Sequence, residues 1–512
     1  MKAEIVSFCE PSSQAQRSVM DRKSVQTALL LLIALVLRVA TFGDPNMHVD
    51  ETFYLLVGEL MHQGALPYVD VWDRKPIGLF FIFYVFAGLP NPILAYQIGA
   101  WLSVGFTAMV INLIVRHWTG LRGGMFAGAA YIFTVAPLQG YGGQAPIFYN
   151  LLIALSALLI MKSHSSLSQG IVPTSVYFAM LLGGLAITVK QTALFEAAFF
   201  GLFVLIAIAR SGAAPQRVVA VAAACAAIGA APTLLVPGYY WIVGNWHEYW
   251  NAMIASNLKK PKPDIVTTLF RIKSVLKHLN PVLCVALLGL ILPVLEKNKY
   301  RGWQFVTGWL VAATIGFLSV PNFYYHYALP LLVILCVAGA SIYDRKLVGP
   351  IAIILVALWS LLWQKPWDTH HTLLSKRAME ELARSVRLHD QGHGLLIFDG
   401  PPLLYSMSGN KPMTPLTFPM HLSHALETDV SHLNTHDELA RILSRKPGAV
   451  VLSVLVRLAP ADWTSRAMVV NYVQKNCKLV DGQIVYDMWR KDLIAVYGDC
   501  NGPPAVKAPR DT

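Results

Sequence analysis

Apolar runs approaching the length of a membrane span recur near 27–42, 93–115, 121–138, 146–161, 176–189, 192–209, 218–243, 281–295, 304–320, 327–343 and 347–363. A helix needs about 20 predominantly apolar residues to cross a bilayer core, so eleven such runs predict a polytopic α-helical membrane protein with about 11 transmembrane helices. The composition agrees: 55% of the 512 residues are hydrophobic and 14% are charged, against about a quarter charged in a soluble domain, and the mean hydropathy is +0.50. The formal net charge of +12 does not indicate nucleic acid, because the basic residues form small clusters between apolar runs rather than a stripe or tail. They read as topology signals and contacts to lipid phosphates. Arg17, Arg22 and Lys23 precede the run from Thr27 to Phe42; it lacks a small-residue cleavage site and is nearly a full span long, so it is expected to be an uncleaved first helix.

The positive-inside rule tests the helix count. With the N-terminus inside, the short inner loops receive Arg116 and Arg122, Lys162, Arg210 and Arg217, Lys297 with Lys299 and Arg301, and Arg345 with Lys346. The same count sends the stretch after the first helix, Gln139 to Asn150, Lys190 with Gln191, a Trp246 to Asn280 loop, Pro321 to His326, and everything after Trp363 to the other side. Lys259, Lys260, Lys262, Arg271, Lys273 and Lys277 break the rule there, in a loop long enough to be partly exempt from it. PIGLFFIFYVFAGL, residues 76–89, is too short to cross and is placed as a juxtamembrane or re-entrant helix. The expected setting is a bacterial inner membrane, with the polar face and the C-terminal part periplasmic.

After Trp363 the pattern changes. THHTLLSKRAMEELARSVRLHD and HDELARILSRK have helical periodicity, while GLLIFDG and GAVVLSVLV read as strands. The expected organisation is a transmembrane domain over 1–363, a small extracytoplasmic α/β domain over 364–500 and a disordered tail over 501–512. Cys225, Cys284 and Cys336 lie within apolar runs and read as small hydrophobes; Cys477 and Cys500 are either a disulfide of an oxidising compartment or two free thiols.

The stretch after the first helix, HVDETFYLLVGELMHQGALPYVDVWDRKP (48–76), carries the chemistry. Adjacent acids such as Asp50 and Glu51 are ordinarily a helix cap or a solvated surface. Beside a bilayer an ionised carboxylate is costly unless it is paired or useful, and the chain returns through Asp73, Arg74 and Lys75. A carboxylate facing a cation at a membrane surface suits transfer of a group from a lipid phosphate to a hydroxyl: the acid takes the proton, and the cation stabilises the departing phosphate.

This stretch resembles the first outer loop of the GT-C polyprenyl-phosphate-sugar glycosyltransferases: Asp-Glu, a Tyr three residues after the Glu, a Gly before Pro-Tyr, then Lys-Pro. The nearest likeness is to the branch holding the rhizobial galacturonosyltransferases, with protein O-mannosyltransferases and aminoarabinose transferases of lipid A as wider relatives. ITVKQTALF around Lys190, VPNFYYHYALPLL around His326 and PPLLYSMSGNKPMTPLTFP extend it. The resemblance implies Asp50 as catalytic base with Glu51 as its partner, and Lys75, Arg74, Lys190 and His326 as contacts of the donor lipid phosphate. By the resemblance Tyr54 and Tyr68 would shape the loop, and together with Gln144 and Tyr325 they are expected as substrate contacts. Bland readings stand beside these: Lys190 as a snorkelling lysine, and His326 as part of an interfacial aromatic belt. Relatives often carry a second acid after the third helix, where this chain reads GYGGQAPIFYN, with Pro146 in that place.

Glu196, inside the sixth run, reads as a protonated acid bonded between helices, and Asp70 and Asp73 as residues that order the first loop. No His/Cys cluster has metal-ligand spacing, and His370 and His371 fall in a linker, so no transition metal is predicted; a divalent ion assisting Asp50 and Glu51 is left open. The expected activity is transfer of a hexosyl or glycuronosyl group, with inversion, from a polyprenyl-phosphate donor to an acceptor hydroxyl of lipopolysaccharide or another envelope glycan. A protein acceptor is the alternative within the enzyme class, and a transporter or flippase for a lipid-linked saccharide the alternative outside it.

Overall fold

The computed structural model describes residues 22–500 apart from Lys260, Lys262, 297–301, Lys365, 456–459 and 488–489. Arg17, Lys297, Lys299, Arg301 and the tail 501–512 therefore lie outside the described residues. Each of the eleven apolar runs is helical, the run at 327–343 in two pieces, Leu329–Ala338 and Ala340–Tyr343. α1 (Lys23–Arg38) is followed by α2 (Val49–His62) and α3 (Ile77–Ala87), then α4 (Pro92–Val115), α5 (Leu121–Val135), α6 (Ala145–Ser168), α7 (Thr174–Val189), α8 (Ala193–Arg210) and α9 (Pro215–Ile242). Further helices span Ile265–Leu295, Trp303–Leu318, Leu329–Ala338 and Val348–Gln364. Among the described residues six helices, at Lys23–Thr41, Pro92–Val115, Ala145–Ser168, Ala193–Arg210, Pro215–Ile242 and Ile265–Leu295, are long and apolar enough to cross a membrane.

The bundle has two distinct ends. His117, Lys162, Arg210 and Gly302 border one crevice at one end, where Arg345 also pairs with Glu296 and the amides of Gly120 and Gly123 donate to Asp344. Loops assigned to the inner side by their charges thus meet there. At the other end stand α2 and α3, packed together: a Cβ on Gly58 would sit 2.6 Å from the Phe83 carbonyl oxygen, so only glycine permits this approach. α3 is 11 residues long, about 17 Å, short of a bilayer core about 30 Å thick.

Two expectations need correction. The Trp246–Asn280 stretch is not a loop but largely helical, with helices at Trp246–Trp250 and Ser256–Lys259 joined by a π-turn. The span expected at 281–295 begins at Ile265 and runs 31 residues, with Pro281 inside it. A proline removes one helical hydrogen bond, and here the helix continues through it. At 1.5 Å per residue this helix is about 46 Å long, so its first turns stand clear of a bilayer core about 30 Å thick.

Beyond the last apolar helix the chain forms a small α/β unit. Helix His370–His389 buries Ser375, Ala378, Met379, Leu382, Ala383 and Val386, a stripe of helical period, against a four-stranded sheet ordered β1-β2-β4-β3. β1 (Leu395–Ile397) pairs in parallel with β2 (Ala449–Ser453); β4 (Arg490–Gly498) runs antiparallel to both β2 and β3 (Lys478–Asp487). The β3–β4 hairpin is an addition to the expected elements, and a disulfide joins Cys477 to Cys500 at its base. The unit is bonded to the stretch after α1: Ser375 Oγ donates to Asp44 Oδ1 at 2.8 Å, Asn46 Nδ2 to the Tyr486 carbonyl at 3.0 Å, and the Trp72 amide to the Pro415 carbonyl at 2.9 Å.

Candidate active site

α2 begins where the His48 ring nitrogen accepts the Asp50 amide at 3.1 Å, which places Asp50 and Glu51 in the first turn. Carboxylates are favoured there, because the free amides of a helix start carry partial positive charge. Asp50 faces a cavity of about 350 Å³ whose wall includes His48, Tyr54, Arg74, Lys75, Gln144 and Lys190. The far side is closed by Tyr324, Tyr325, His326 and Tyr327, and by Phe418, Met420 and Glu427 of the C-terminal unit.

Lys75 is the hub. Its Nζ lies 3.5 Å from Asp50 Oδ1 and 3.2 Å from Asp73 Oδ2, and 4.7 Å from the centre of the Phe418 ring, close enough for a cation–π contact. Tyr68, in left-handed backbone conformation at φ 71°, donates its hydroxyl to the Lys75 carbonyl at 2.9 Å and so fixes the returning chain. Burial opposes charge on Asp50, but Lys75 foremost, then His48, His326 and Lys190, hold its carboxyl well below the usual carboxylate range. Desolvation also opposes charge on Lys75, whose side chain is 18% exposed, and Asp73 and Asp50 nevertheless raise its pKa.

Of the sequence candidates, Asp50, Lys75, Arg74, Lys190, His326, Tyr54, Gln144 and Tyr325 come together on the cavity wall. Glu51 and Tyr68 are adjacent but outside it. Arg74 is engaged, its guanidinium paired with Glu427 at 2.5 Å. Lys190 Nζ lies 5.1 Å from the Tyr327 ring centre, the Tyr325 hydroxyl bonds Ser274 at 2.7 Å, and His326 stacks on Tyr324. Gln144 and His326 are 1% and 7% exposed, yet among the described residues Gln144 Nε2 and His326 Nδ1 have no hydrogen-bond partner. Buried polar atoms are nearly always satisfied, so two orphans on a cavity wall mark where a ligand's polar atoms would sit. Pro146 lies on the cavity wall.

Sequence reasoning missed Glu427 and Phe418 as wall residues, and Arg271 at the rim. Arg271 donates to the carbonyl of Asn322 at 3.0 Å and lies over the Tyr324 ring, two residues that line the cavity. Glu196 accepts the Trp309 indole N–H at 2.6 Å between two helices, in line with its expected structural role. Among the described residues no group of three or more His, Cys, Asp or Glu is placed to hold a metal ion.

The fold is that of the GT-C membrane glycosyltransferases. ArnT from Cupriavidus metallidurans bound to undecaprenyl phosphate aligns over 95% of this chain and 99% of its own, with a TM-score of 0.55 at 12% identity; the same protein in the apo state gives 0.58 at 14%, over 94% and 99%. The archaeal oligosaccharyltransferase AglB from Archaeoglobus fulgidus, in complex with an inhibitory peptide and a dolichol-phosphate, gives 0.51 at 9%, over 89% of this chain and 72% of its own. At these identities the likeness establishes the fold. No protein-family model matches the chain, and no curated protein matches it in sequence.

Proposed function

We propose that the protein is a membrane glycosyltransferase that moves a sugar from a polyprenyl-phosphate donor to an acceptor hydroxyl of lipopolysaccharide or another envelope glycan, at the periplasmic face of a bacterial inner membrane. The observation that carries this reading is the juxtaposition of the Asp50 carboxylate with Lys75, Arg74 and Lys190 around one cavity at one end of an apolar helical bundle. Fixed cations there would hold a lipid-borne phosphate whose tail remains among the helices, while the acceptor enters from water. The structure of ArnT with undecaprenyl phosphate makes such a lipid a reasonable donor carrier. The disulfide in the unit that closes this same cavity supports an oxidising compartment on that side.

In the proposed step the acceptor oxygen bonds the anomeric carbon from the face opposite the phosphate. The bond from that carbon to the phosphate oxygen breaks, the polyprenyl phosphate leaves with the electron pair, and Asp50 takes the hydroxyl proton. A carboxylate held this low is a weak base while Lys75 is its near neighbour. A donor phosphate that shares the Lys75 charge would weaken that hold and move Asp50 towards the basicity the step requires. Lys75 would thus keep Asp50 ionised in the free enzyme and favour proton uptake only when donor is bound. Gln144 and His326 would meet the sugar or the phosphate with their unpartnered nitrogens.

The test is release of labelled sugar from a panel of polyprenyl-phosphate donors, with envelope extracts as acceptors, by wild type and Asp50→Asn. Loss of the base should lower turnover by roughly 100-fold or more in a protein that remains folded. Asp50→Asn turnover equal to wild type, or no donor consumed by wild type, would refute the reading.

A further inference from the structure

Arg38 is the last residue of α1. It is 3% exposed and lies outside the cavity, so the step described above does not use it. A buried guanidinium is expensive unless its donors are met and its charge is opposed. Its Nη1 donates to the Gly140 carbonyl at 2.6 Å and its Nη2 to the Gly142 carbonyl at 2.9 Å. Those two carbonyls belong to the turn between α5 and α6, which supplies Gln139 and Gln144 to the cavity wall and leads into Ala145 and Pro146, wall residues at the start of α6. The opposing charge is Glu51.

Glu51 is fully buried, and among the described residues neither of its carboxylate oxygens has a well-formed hydrogen bond. It backs directly onto the same turn: a Cβ on Gly142 would stand 1.8 Å from Glu51 Oε2 and 2.5 Å from its Cδ. Arg38 thus grips the turn that Glu51 abuts, and the residue preceding Glu51 on α2 is Asp50. The planar fork of arginine reaches two carbonyls at once, which an ammonium does not reproduce.

We infer that Arg38 is a positioning residue of the proposed transfer: through Gly140, Gly142 and Glu51 it sets the turn that carries Gln144 and the first turn of the helix that carries Asp50. The inference rests on the glycosyltransferase reading. Displacements near 1 Å at a reacting centre cost about 100-fold in rate, so that is the loss expected in kcat/KM for Arg38→Gln, with Arg38→Lys recovering part of it. Gly142→Ala disturbs the same turn with the charge left in place and should behave alike. The double variant should lose no more than the worse single, because both act on one element. Arg38 also opposes the upward push of burial on the Glu51 carboxyl, so Arg38→Gln should move the acid limb of the pH–rate profile to higher pH.

The measurements are donor turnover against pH by the full chain in nanodiscs, normalised to folded protein. A merely structural Arg38 would lower yield and Tm but leave kcat/KM and the pH profile of the folded fraction unchanged, and that result would overturn the inference. So would losses that multiply in the double variant. Should Arg38→Gln fail to fold, Gly142→Ala and Arg38→Lys carry the same expectations. Wild type inactive on every donor would instead refute the transferase reading, and the inference with it.

Discussion

Replacing Lys75 by methionine tests whether the cavity's central cation holds the site together as well as acting in it. The side chain keeps its length and loses its charge, leaving Asp73, 3% exposed, and Asp50, with a side chain 15% exposed, without the ammonium that lay 3.2 and 3.5 Å away. Removing one partner of a buried pair costs about 3 to 5 kcal/mol. Here the lower end applies, because Asp73 keeps the Lys75 amide at 2.9 Å and has His421 at 3.8 Å, while Lys75 itself is 18% exposed. Lys75→Met should therefore destabilise by about 3 kcal/mol, and Asp73→Asn added to it should restore more than half of that by removing the stranded charge. Activity should not return in the double variant, since the phosphate would still lack its cation. Thermal unfolding in detergent and donor turnover measure the two effects separately. If Lys75→Met unfolds with wild type, or if the double variant is no more stable than the single, the charges are solvated and the reasoning from burial is wrong.

Two buried groups should give stability opposite dependences on pH. Burial raises the Glu51 carboxyl from 4.5 to about 7, so between those values the folded protein holds more protons than the unfolded chain and loses stability as pH rises; Glu51→Gln should gain on wild type at pH 8 and not at pH 4, by at most about 3 kcal/mol. Burial lowers His421 from 6.5 to about 4, so its contribution is intact above pH 6.5 and is lost as pH falls towards 4; His421→Asn should flatten that acid limb, and parallel Tm curves against pH would contradict both assignments. The disulfide closes a separation of 23 residues, worth about 3 kcal/mol by loop entropy, so reductant should lower the Tm of wild type and leave Cys477→Ser/Cys500→Ser unmoved.

The helical bundle was legible because burial in lipid demands a continuous apolar surface, and no other demand produces eleven such runs. The pattern failed where a helix leaves the lipid: from Ile265 to Asn280 the helix carries Arg271, Lys273 and Lys277, and a hydropathy reading takes such a segment for a loop. Its violation of the positive-inside rule was the available signal that Arg271 belongs to the rim of the cavity. Asp50, Arg74 and Lys75 could be found because one short stretch holds them all. Glu427 and Phe418 reach the same cavity from more than 340 residues away in sequence, and only the docking of the C-terminal unit through Trp72 and Arg74 brings them there. The β3–β4 pair was missed although Leu479, Ile484 and Val496 are the residues of strands, because the sequence between its arms holds no glycine or proline to announce a break. Arg38 gave no sign in sequence: an arginine at the end of a first span reads as a flank until its two carbonyl partners, 102 and 104 residues away, are seen.

The charges on the cavity wall bear on what it holds. Leaving the histidines aside, the lining residues include two acids, Asp50 and Glu427, and three cations, Arg74, Lys75 and Lys190, a surplus of one positive charge. A polyprenyl-phosphate sugar is a phosphodiester with one negative charge, and its arrival would balance the wall; the departing polyprenyl phosphate carries more, and the surplus then favours bond breaking over ground-state binding. A carrier that moved the same lipid across the membrane would need polar residues near the midplane. Here the cavity and the basic crevice at the opposite end of the bundle share no lining residue. α6 alone, 24 residues or about 36 Å long, separates Gln144 at its start from Ser168 at its end, so the proposed transfer would occupy one end of the bundle, with the helices free to hold the lipid tail.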